Sequence, residues 1–399
     1  MTNTASTHSG ELHDGEADRA VHRVSSMTNS LTWVHIGDLH MDEANGWQSR
    51  GRLEAIIGEI NAHIGSAAEF VYLPGDNANH ATVEQYRVIT DTLARLTLPY
   101  RVIPGDHDFE LGDLANYDAA FPEANRPEAE VIAGHRCIFL DVVSAGAGGP
   151  DFRVTMHHRN RLLEELARAE AEGQTPVVFM HAYPGDLAAD GEDIARTLAD
   201  ARVAFVDTGH THYNELLNDD RVIYGATRST GEIEEGGGKP GFSITTIHGR
   251  VPSWRFKETG GEWPFVQVVA PADVRLVTRP ADPAQVPRPG EVEIVAKLFG
   301  APADTVMLSV DGAIGLPMVA TPDTAFWTAR VELDAGLHKV EVAIGTDRDI
   351  IDVLVRGEKD IPRRGMPIAP GRDIHSIGPW PEHGIEGAQL GPNKNGKHW

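Results

Sequence analysis

The first two thirds of the chain alternate short apolar runs with longer amphipathic stretches. The apolar runs predict β-strands, and the five that bear on function are TWVHI, FVYLP, RVIP, VVFM and VAFVDT. Apolar residues spaced three and four apart predict α-helices in SRGRLEAIIGEINAHIG, ATVEQYRVITDTLARL and HHRNRLLEELARAEAEG. This strand–loop–helix rhythm, from Leu31 to about Pro264, predicts a layered α/β domain.

The pattern changes after His212, where the helical stretches stop. RVIYGAT, GFSITTI and VPSWRFK predict consecutive strands, so we expect the α/β domain to end in an antiparallel meander. Short alternating segments separated by Gly, Pro and Asp then predict a small, all-β, sandwich-like domain. We therefore divide the chain into a disordered N-terminal extension, a catalytic domain, a β-sandwich-like domain and a Gly/Pro-rich C-terminal arm, at residues 1–30, 31–265, 266–358 and 359–399.

The arm combines many Gly and Pro residues with apolar side chains that a solvated tail rarely keeps. We expect it to pack on the body or on a neighbouring subunit. His375, Trp380 and His383 are of the kinds that line pockets, and we expect the arm to cover part of the active-site cleft.

Composition narrows the class of protein. Hydrophobic residues make up 41% of the chain and charged residues 24%, which is ordinary for a globular protein. No apolar run is long enough for a membrane span, and the polar residues 1–30 hold no secretory signal, although Met27 is an alternative start. The single cysteine, Cys137, excludes an intramolecular disulfide and is predicted to be buried. These features favour a cytoplasmic protein without membrane contact.

The formal net charge of −24 argues against binding to a nucleic-acid backbone, which needs a basic face. The same charge repels an anionic substrate at long range. Local cations must then attract such a substrate, and bound metal ions are the obvious source.

Carboxylates and imidazoles directly follow the five apolar runs. In chain order the clusters are Asp38-Leu39-His40, Gly75-Asp76-Asn77, Gly105-Asp106-His107-Asp108, His181 and Gly209-His210-Thr211-His212. We expect all five strand ends to open on one edge of a sheet, so that the clusters converge. Oxygen ligands mixed with imidazoles suit Mn, Fe or Zn, and this many ligands is enough for two ions.

This ordered set resembles the signature of the calcineurin-like metallophosphoesterase superfamily: D-x-H, G-D, G-N-H-[DE], H and G-H-x-H. The resemblance covers roughly Leu31 to Lys257, and the GDN and GHTH segments are similar to the bacterial class III cyclic nucleotide phosphodiesterase branch. It implies a four-layer α/β/β/α sandwich with a two-metal site between the strand ends of its sheets.

The resemblance also implies a role for each residue. One metal would be held by Asp38, His40, Asp76 and His212. The other would be held by Asp76, Asp106, His181 and His210, so that Asp76 bridges the two. His107 would stabilise or protonate the leaving oxygen, with Asp108 orienting its ring; a structural histidine in a turn is the alternative. The cofactors implied are two divalent or trivalent transition metals, Mn and/or Fe, with Zn as a further option.

Two metals lower the pKa of a bridging water, and the resulting hydroxide attacks phosphorus in line. The expected activity is therefore hydrolysis of a phosphodiester that is small or cyclic-nucleotide-like. The ligands alone leave a phosphomonoesterase or a broad-specificity phosphoesterase open, and also a non-catalytic binding protein on the same fold.

One ligand departs from the family pattern, which has Asn where Asp106 stands. Two divalent ions, three carboxylates and a hydroxide sum to zero charge, whereas Asn at this position would leave one positive charge. We expect the more neutral site to disfavour a dianionic monoester, or to tolerate trivalent iron.

Four further residues are candidates for substrate binding: Asn77, His80, Tyr183 and Arg228. Asn77 fits a helix N-cap at least as well, Tyr183 fits a core tyrosine, and Arg228 fits an ion pair with the acidic run GEIEEGG. The β domain or the arm could support a homo-oligomer, which we prefer to a separate binding role for that domain.

Overall fold

The computed structural model describes residues 29–234, 237–301, 305–323, 325–357 and 375–386. The predicted disorder of residues 1–30 falls almost wholly outside the described residues, as does most of the arm. Within the described ranges, no helix combines the length and apolar character that a membrane crossing requires.

The described residues form nineteen β-strands and five α-helices, numbered here in chain order. The strands are β1 Ser30–His35, β2 Phe70–Leu73, β3 Tyr100–Val102, β4 Ala129–Ile132, β5 His135–Leu140, β6 Thr175–Met180, β7 Phe205–Thr208, β8 Glu215–Asn218, β9 Ile223–Ala226, β10 Gly241–His248, β11 Val251–Glu258, β12 Phe265–Ala270, β13 Gly290–Phe299, β14 Met307–Val310, β15 Leu316–Pro317, β16 Val319–Ala320, β17 Phe326–Leu333, β18 Gly336–Ile344 and β19 Asp347–Val355. The helices are α1 Gln48–Glu59, α2 Val83–Leu93, α3 Ala115–Ala120, α4 Met156–Ala171 and α5 Gly191–Asp200.

The α/β domain contains two sheets rather than one. The first has five strands in the order β11-β10-β1-β2-β3, and the second has six in the order β4-β5-β6-β7-β9-β8. Strands β1 to β3 run parallel in the first sheet, and β5, β6, β7 and β9 run parallel in the second. The five ligand-bearing strand ends are therefore shared between two facing sheets, three in the first and two in the second.

The predicted meander after His212 is wrong in one respect. Strand β9 pairs in parallel with β7 in the second sheet, whereas β10 and β11 extend the first sheet beside β1. All four residues of β9 are buried, so its apolar pattern carries no sign of which sheet it joins.

The inner faces of the two sheets pack through aromatic side chains. The Phe179 ring centroid lies 5.2 Å from Trp33 and 4.7 Å from Tyr72 in edge-to-face geometry. Helices α1 and α2 bury apolar residues against the outer face of the first sheet, and α4 and α5 do so on the second. The result is the four-layer α/β/β/α arrangement.

Side-chain caps set the start of two of these helices. The Thr82 hydroxyl accepts a hydrogen bond from the Gln85 amide at α2, and Thr155 accepts one from His158 at α4. Each cap contributes about 1 kcal/mol to stability. Along α4, Leu162, Leu166 and Ala169 lie on the buried face at helical spacing.

The C-terminal domain is all-β. Its two sheets have the strand orders β12-β13-β17-β16 and β15-β14-β18-β19. Alternating residues of β13 and β18, among them Val292, Ile294, Val340 and Val342, join one apolar core that also includes Trp33 and Phe179. Since that core is continuous, the two domains pack together.

The described part of the arm fills the junction between the domains. The Trp380 ring stacks on His383 at 3.5 Å, and the His383 imidazole contacts the Trp254 carbonyl at 2.7 Å and the Asp349 carboxylate at 2.7 Å. The His375 carbonyl accepts a hydrogen bond from Asn218 at the edge of the second sheet. Contrary to expectation, Trp380 and His383 are buried in the junction instead of lining the cleft.

Candidate metal centre

The seven predicted ligands follow five strands of the two facing sheets. Asp38 and His40 follow β1, Asp76 follows β2, Asp106 follows β3, His181 follows β6, and His210 and His212 follow β7. Six of them are buried, and the side chain of His210 is 10% exposed. The structure brings all seven together at the cleft between the sheet ends.

Their ligand atoms form two groups of four that share one carboxylate. In each group, one atom from every residue lies within 4.8 Å of the others; the groups are Asp38, His40, Asp76 and His212, and Asp76, Asp106, His181 and His210. Asp76 Oδ2 lies 3.6 Å from His40 Nε2 and 3.5 Å from His181 Nε2. Asp76 thus stands between the groups, as a bridging ligand must.

The charge of the site fits bound cations. Asp38, Asp76 and Asp106 are all buried, and within the described ranges no Lys or Arg nitrogen comes within 4.0 Å of their carboxylates. The Asp38 Oδ1 atom is buried without a hydrogen-bond partner among the same residues. Buried carboxylates need compensating charge, which two metal ions would supply.

Neighbouring groups fix the orientation of the imidazoles. His181 Nδ1 lies 2.8 Å from the Pro74 carbonyl and therefore carries a proton, so Nε2, which lies 3.2 Å from Asp106 Oδ1, is the nitrogen that could bind a metal ion once it loses its own proton. His40 Nδ1 lies 3.0 Å from Asn79 Oδ1. Such partners select the tautomer and ring orientation that ligation requires.

Four of the seven candidates have left-handed backbone conformations. The φ angles are 37° at His40, 49° at Asp76, 65° at His210 and 63° at His212. Each costs on the order of 1 kcal/mol for a residue with a Cβ, and such outliers cluster at functional sites. The surrounding loops must hold these residues in place.

Close approach of two loops explains the glycine in the third cluster. A Cβ on Gly105 would lie 2.3 Å from the Asp76 amide nitrogen and 2.3 Å from its Oδ1 atom. Only glycine lets the loop after β3 come this near to the bridging carboxylate.

In the metal-free chain, the close approach of these carboxylates and imidazoles shifts their pKa values. Burial raises the pKa of Asp76, but the charges of His181, His40 and His107 outweigh it and hold that pKa well below its usual range. Burial lowers the pKa of His181, yet Asp76 and Asp106 raise it well above the ordinary value. Metal ions would therefore displace protons on binding.

Comparison with known proteins agrees with this geometry. Residues 31–214 match the family model for the calcineurin-like phosphoesterases. This region is similar to the calcineurin-like phosphoesterases. The match ends two residues after His212, so it includes all seven candidate ligands.

One curated relative matches a shorter segment. A probable cyclic nucleotide phosphodiesterase of Coxiella burnetii is 28% identical over 81 residues, which make up 20% of this chain and 33% of that protein. The alignment thus spans only a third of the relative's length.

Two solved structures are similar at low identity. GAP50, the anchor in the inner membrane complex of Plasmodium, is 14% identical with a TM-score of 0.44, covering 58% of this chain and 85% of its own. A dimetal phosphatase from Danio rerio is 12% identical with a TM-score of 0.43, covering 57% of this chain and 96% of its own.

His107 lies beside the metal ligands without joining either group. Its amide donates to Asp76 Oδ1 at 2.9 Å, and its Nδ1 donates to the Asn79 carbonyl at 2.8 Å. Nε2 has no hydrogen-bond partner among the described residues, so it is open to a ligand. Burial lowers the pKa of His107, but Asp76, the Asn79 carbonyl and Asp106 raise it above the ordinary value.

Asp108 does not orient the His107 ring as expected. Its carboxylate is fully buried and accepts hydrogen bonds from the Gly105, Asn77 and Ala78 amides, the Asn77 side chain and the Tyr86 hydroxyl. It ties the loop after β2 to the loop after β3. The Asn79 carbonyl takes the orienting role instead.

Three of the four predicted substrate contacts are placed elsewhere. Asn77 is fully buried and donates to Ile103 O and Asp108, so it neither lines the cleft nor caps a helix. Tyr183 is fully buried in the core beneath the second sheet. Arg228 is 2% exposed; its guanidinium donates to the Lys239 carbonyl and lies 4.8 Å from the Phe256 ring centroid.

His80 is the exception. It is exposed, follows the His107 partner Asn79, and pairs with Glu110 at 2.9 Å. It remains a candidate at the rim of the site.

Sequence reasoning missed three residues, of which Asn79 acts on His40 through its side chain and on His107 through its backbone carbonyl. Asn79 positions both His40 and His107, and its presence in the polar segment GDNANH is the only signal. Glu234 Oε1 lies 3.2 Å from His212 Nδ1 and belongs to the acidic run interpreted as a partner for Arg228. The Phe152 ring lies 4.8 Å from the His210 ring, and no motif marks it.

Replacing Asn79 by Ala tests its positioning role. Because the variant frees the His40 ring, we expect Mn²⁺ affinity at one of two sites to fall by about 10- to 100-fold. Calorimetric titration with Mn²⁺ measures both sites. Asn61→Ala is the control, since Asn61 bonds to Thr97 and the Arg95 carbonyl instead. Equal affinities in the two variants would contradict the role given to Asn79.

Proposed function

We propose that this chain is a dinuclear metal-dependent phosphodiesterase acting on a small or cyclic-nucleotide-like diester. The observation that carries the proposal is the pair of four-residue groups sharing Asp76, with the open Nε2 of His107 beside them. The similarity to a probable cyclic nucleotide phosphodiesterase of Coxiella burnetii supports the diester class.

Each group would hold one ion, and Mn, Fe or Zn suits this mixture of carboxylates and imidazoles. When bound, two such ions supply an activated water and polarise the phosphoryl oxygens. His107 supplies the other requirement, because an alkoxide leaving group needs a proton and imidazolium is the side chain best able to give one near pH 7.

The surroundings favour a monoanionic diester over a dianionic monoester. Glu232 and Glu234 approach His212 Nδ1 to 3.6 Å and 3.2 Å, and Asp106 adds a carboxylate where the family pattern has an amide. These negative groups repel a second negative charge on the substrate.

Hydrolysis of two chromogenic substrates tests the proposal. We expect the chain with Mn²⁺ to hydrolyse bis(p-nitrophenyl) phosphate faster than p-nitrophenyl phosphate, and a chelator to stop both reactions. Preference for the monoester would indicate a phosphomonoesterase. If neither substrate reacts while two ions are bound, cyclic nucleotides and other diesters must be screened, and failure there would overturn the proposal.

The Asp106→Asn variant tests the charge argument separately. The replacement is nearly isosteric, so two ions should still bind, while the site gains one positive charge. We expect the diester-to-monoester ratio of kcat/KM to fall by about tenfold, equivalent to about 1.4 kcal/mol. The ratio and the metal content are measured together. An unchanged ratio with unchanged metal content would show that Asp106 does not set the preference.

A further inference from the structure

A cavity of about 650 Å³, separate from the cleft that holds the candidate metal centre, lies between the α/β domain and the β domain. Ser30 lines it at the start of β1, whereas the metal ligand Asp38 follows the other end of that strand. Six residues of β-strand span about 20 Å, so the cavity is remote from the candidate metal centre. The remaining walls include Lys297 of β13, Phe326 of β17 and His248 at the end of β10. Three acidic residues, Glu69, Glu293 and Asp323, and one further basic residue, Arg330, also line the cavity.

Lys297 is the unusual feature of this cavity. Its side chain is 3% exposed, and its Nζ donates to Thr32 Oγ1 at 2.8 Å and lies 4.7 Å from the Phe326 ring centroid. Across the described ranges, no carboxylate oxygen comes within 4.0 Å of Nζ. Glu69 and Asp323 act on Lys297 through their charges and raise its pKa, but neither makes contact with Nζ. A buried cation without a contacting anion is unfavourable unless its charge is compensated in full.

The hydrogen-bond network around Lys297 requires its Nζ to act as a donor. Thr246 Oγ1 donates to Gln267 Oε1 at 2.8 Å, so Thr246 accepts from Thr32 at 3.0 Å, and Thr32 in turn accepts from Lys297. An ammonium has three N–H donors, and the hydrogen bond to Thr32 uses one of them. Burial lowers the pKa of Lys297 to about 8, which leaves it mostly protonated at pH 7.

Two more polar groups at the cavity have no hydrogen-bond partner in the part of the chain that the structure describes: Ser30 Oγ and His248 Nδ1. Burial and the charge of Lys297 lower the pKa of His248 to about 4, so the ring is neutral at pH 7. A neutral imidazole can donate through one nitrogen without adding charge.

We propose that this cavity binds a small organic anion, its carboxylate or phosphate group held by Lys297, Ser30 and His248 and its apolar body against Phe326. Anion binding satisfies all three polar groups at once and neutralises the buried ammonium. The volume is in the range of small-molecule sites, which often lie at domain interfaces. A ligand here would connect β1 to β13 and β17 of the β domain.

Calorimetric titration of the full, Mn²⁺-loaded chain with benzoate, and separately with phenylphosphonate, tests the proposal. We expect saturable binding of at least one probe. Lys297→Met, which keeps the length of the side chain and removes the charge, should weaken it at least tenfold. Lys339→Met is the matched control, because Lys339 is 64% exposed on β18. Diester hydrolysis measured in parallel reports any probe bound at the metal centre.

Glu69→Gln supplies an independent variant with the opposite expected sign. Glu69 also lines the cavity, and its Oε2 accepts from the Thr32 amide, a bond that Gln preserves. Removing its negative charge should tighten probe binding at least twofold. No saturable binding of either probe, or equal binding by the wild type and both cavity variants, would overturn the proposal. Binding lost in Lys297→Met and strengthened in Glu69→Gln would support it even if Lys297→Met were less stable.

Discussion

Asp76→Asn is expected to abolish phosphodiester hydrolysis, with a loss of at least about 1,000-fold, because a bridging ligand that holds two ions contributes several kcal/mol of charge stabilisation. Asn tolerates the left-handed backbone at this position and can still accept from the His107 amide. The variant therefore removes the charge and leaves the loop in place. Metal content by mass spectrometry should fall below two ions per chain.

Asp108→Asn is the matched comparison for Asp76→Asn. Both carboxylates are buried in neighbouring loops, but Asp108 holds loop amides and belongs to neither ligand group. We expect Asp108→Asn to lower the free energy of unfolding by about 1–3 kcal/mol while two ions still bind. If both variants kept two ions, or both lost them, the distinction between ligand and loop clamp would be wrong.

His107→Ala is expected to have the second largest effect, and its size should depend on the leaving group. Loss of a general acid costs about 10²- to 10⁴-fold when the leaving group is an alkoxide. A p-nitrophenolate departs without a proton, so the same variant should lose less than about tenfold on bis(p-nitrophenyl) phosphate. The measurement is kcat of the variant and of the wild type on two kinds of substrate. Methyl p-nitrophenyl phosphodiesters release p-nitrophenolate, whereas alkyl diesters release an alkoxide.

His157→Ala is the control for His107→Ala. His157 lies on α4, where it pairs with Glu128 at 2.9 Å and its side chain is 68% exposed. Both substrates should react with this variant at wild-type rates. An equal loss on both kinds of leaving group in His107→Ala would mean that His107 positions substrate or ligands and does not transfer a proton.

The sequence predicted which side chains the structure brings together, because each candidate ligand follows an apolar run. Asp38, Asp76 and Asp106 are placed by strands whose burial is evident from composition, and the strand end fixes where the next residues lie. The order of the motifs, compared with the family signature, then assigns these candidate ligands to two groups of four. The hydrophobic pattern and the motifs were sufficient to predict that these side chains converge, because the ends of the strands bring them together.

The roles of the neighbouring residues could not be predicted in the same way. Asp108 and Asn77 are adjacent to ligands in sequence, but their side chains turn inward to bond loop amides. In the sequence Arg228 resembles a phosphate-binding residue, but in the structure it is buried and lies against the Phe256 ring of β11. These outcomes depend on contacts between segments far apart in the chain, for which one sequence carries no periodic signal.

The division of the strands between two sheets could not be predicted from the hydrophobic pattern either. Strands β7 and β9 are buried along their whole length and β10 along almost all of it, so their burial does not show which strand each one pairs with. The described part of the arm adds a contact far apart in sequence, where Ser376 forms an antiparallel bridge with Leu217 of β8.

Each group of four ligands draws on both sheets. The group containing Asp38 is completed by His212, and the group containing Asp106 is completed by His181 and His210. During synthesis, an emerging chain exposes the first sheet's ligands long before His212 leaves the ribosome. Neither site can form until more than half of the chain has been made and the sheets have closed. If the two groups hold metal ions as proposed, the ions would bind only after this point of synthesis, and a product truncated before His210 would lack both sites.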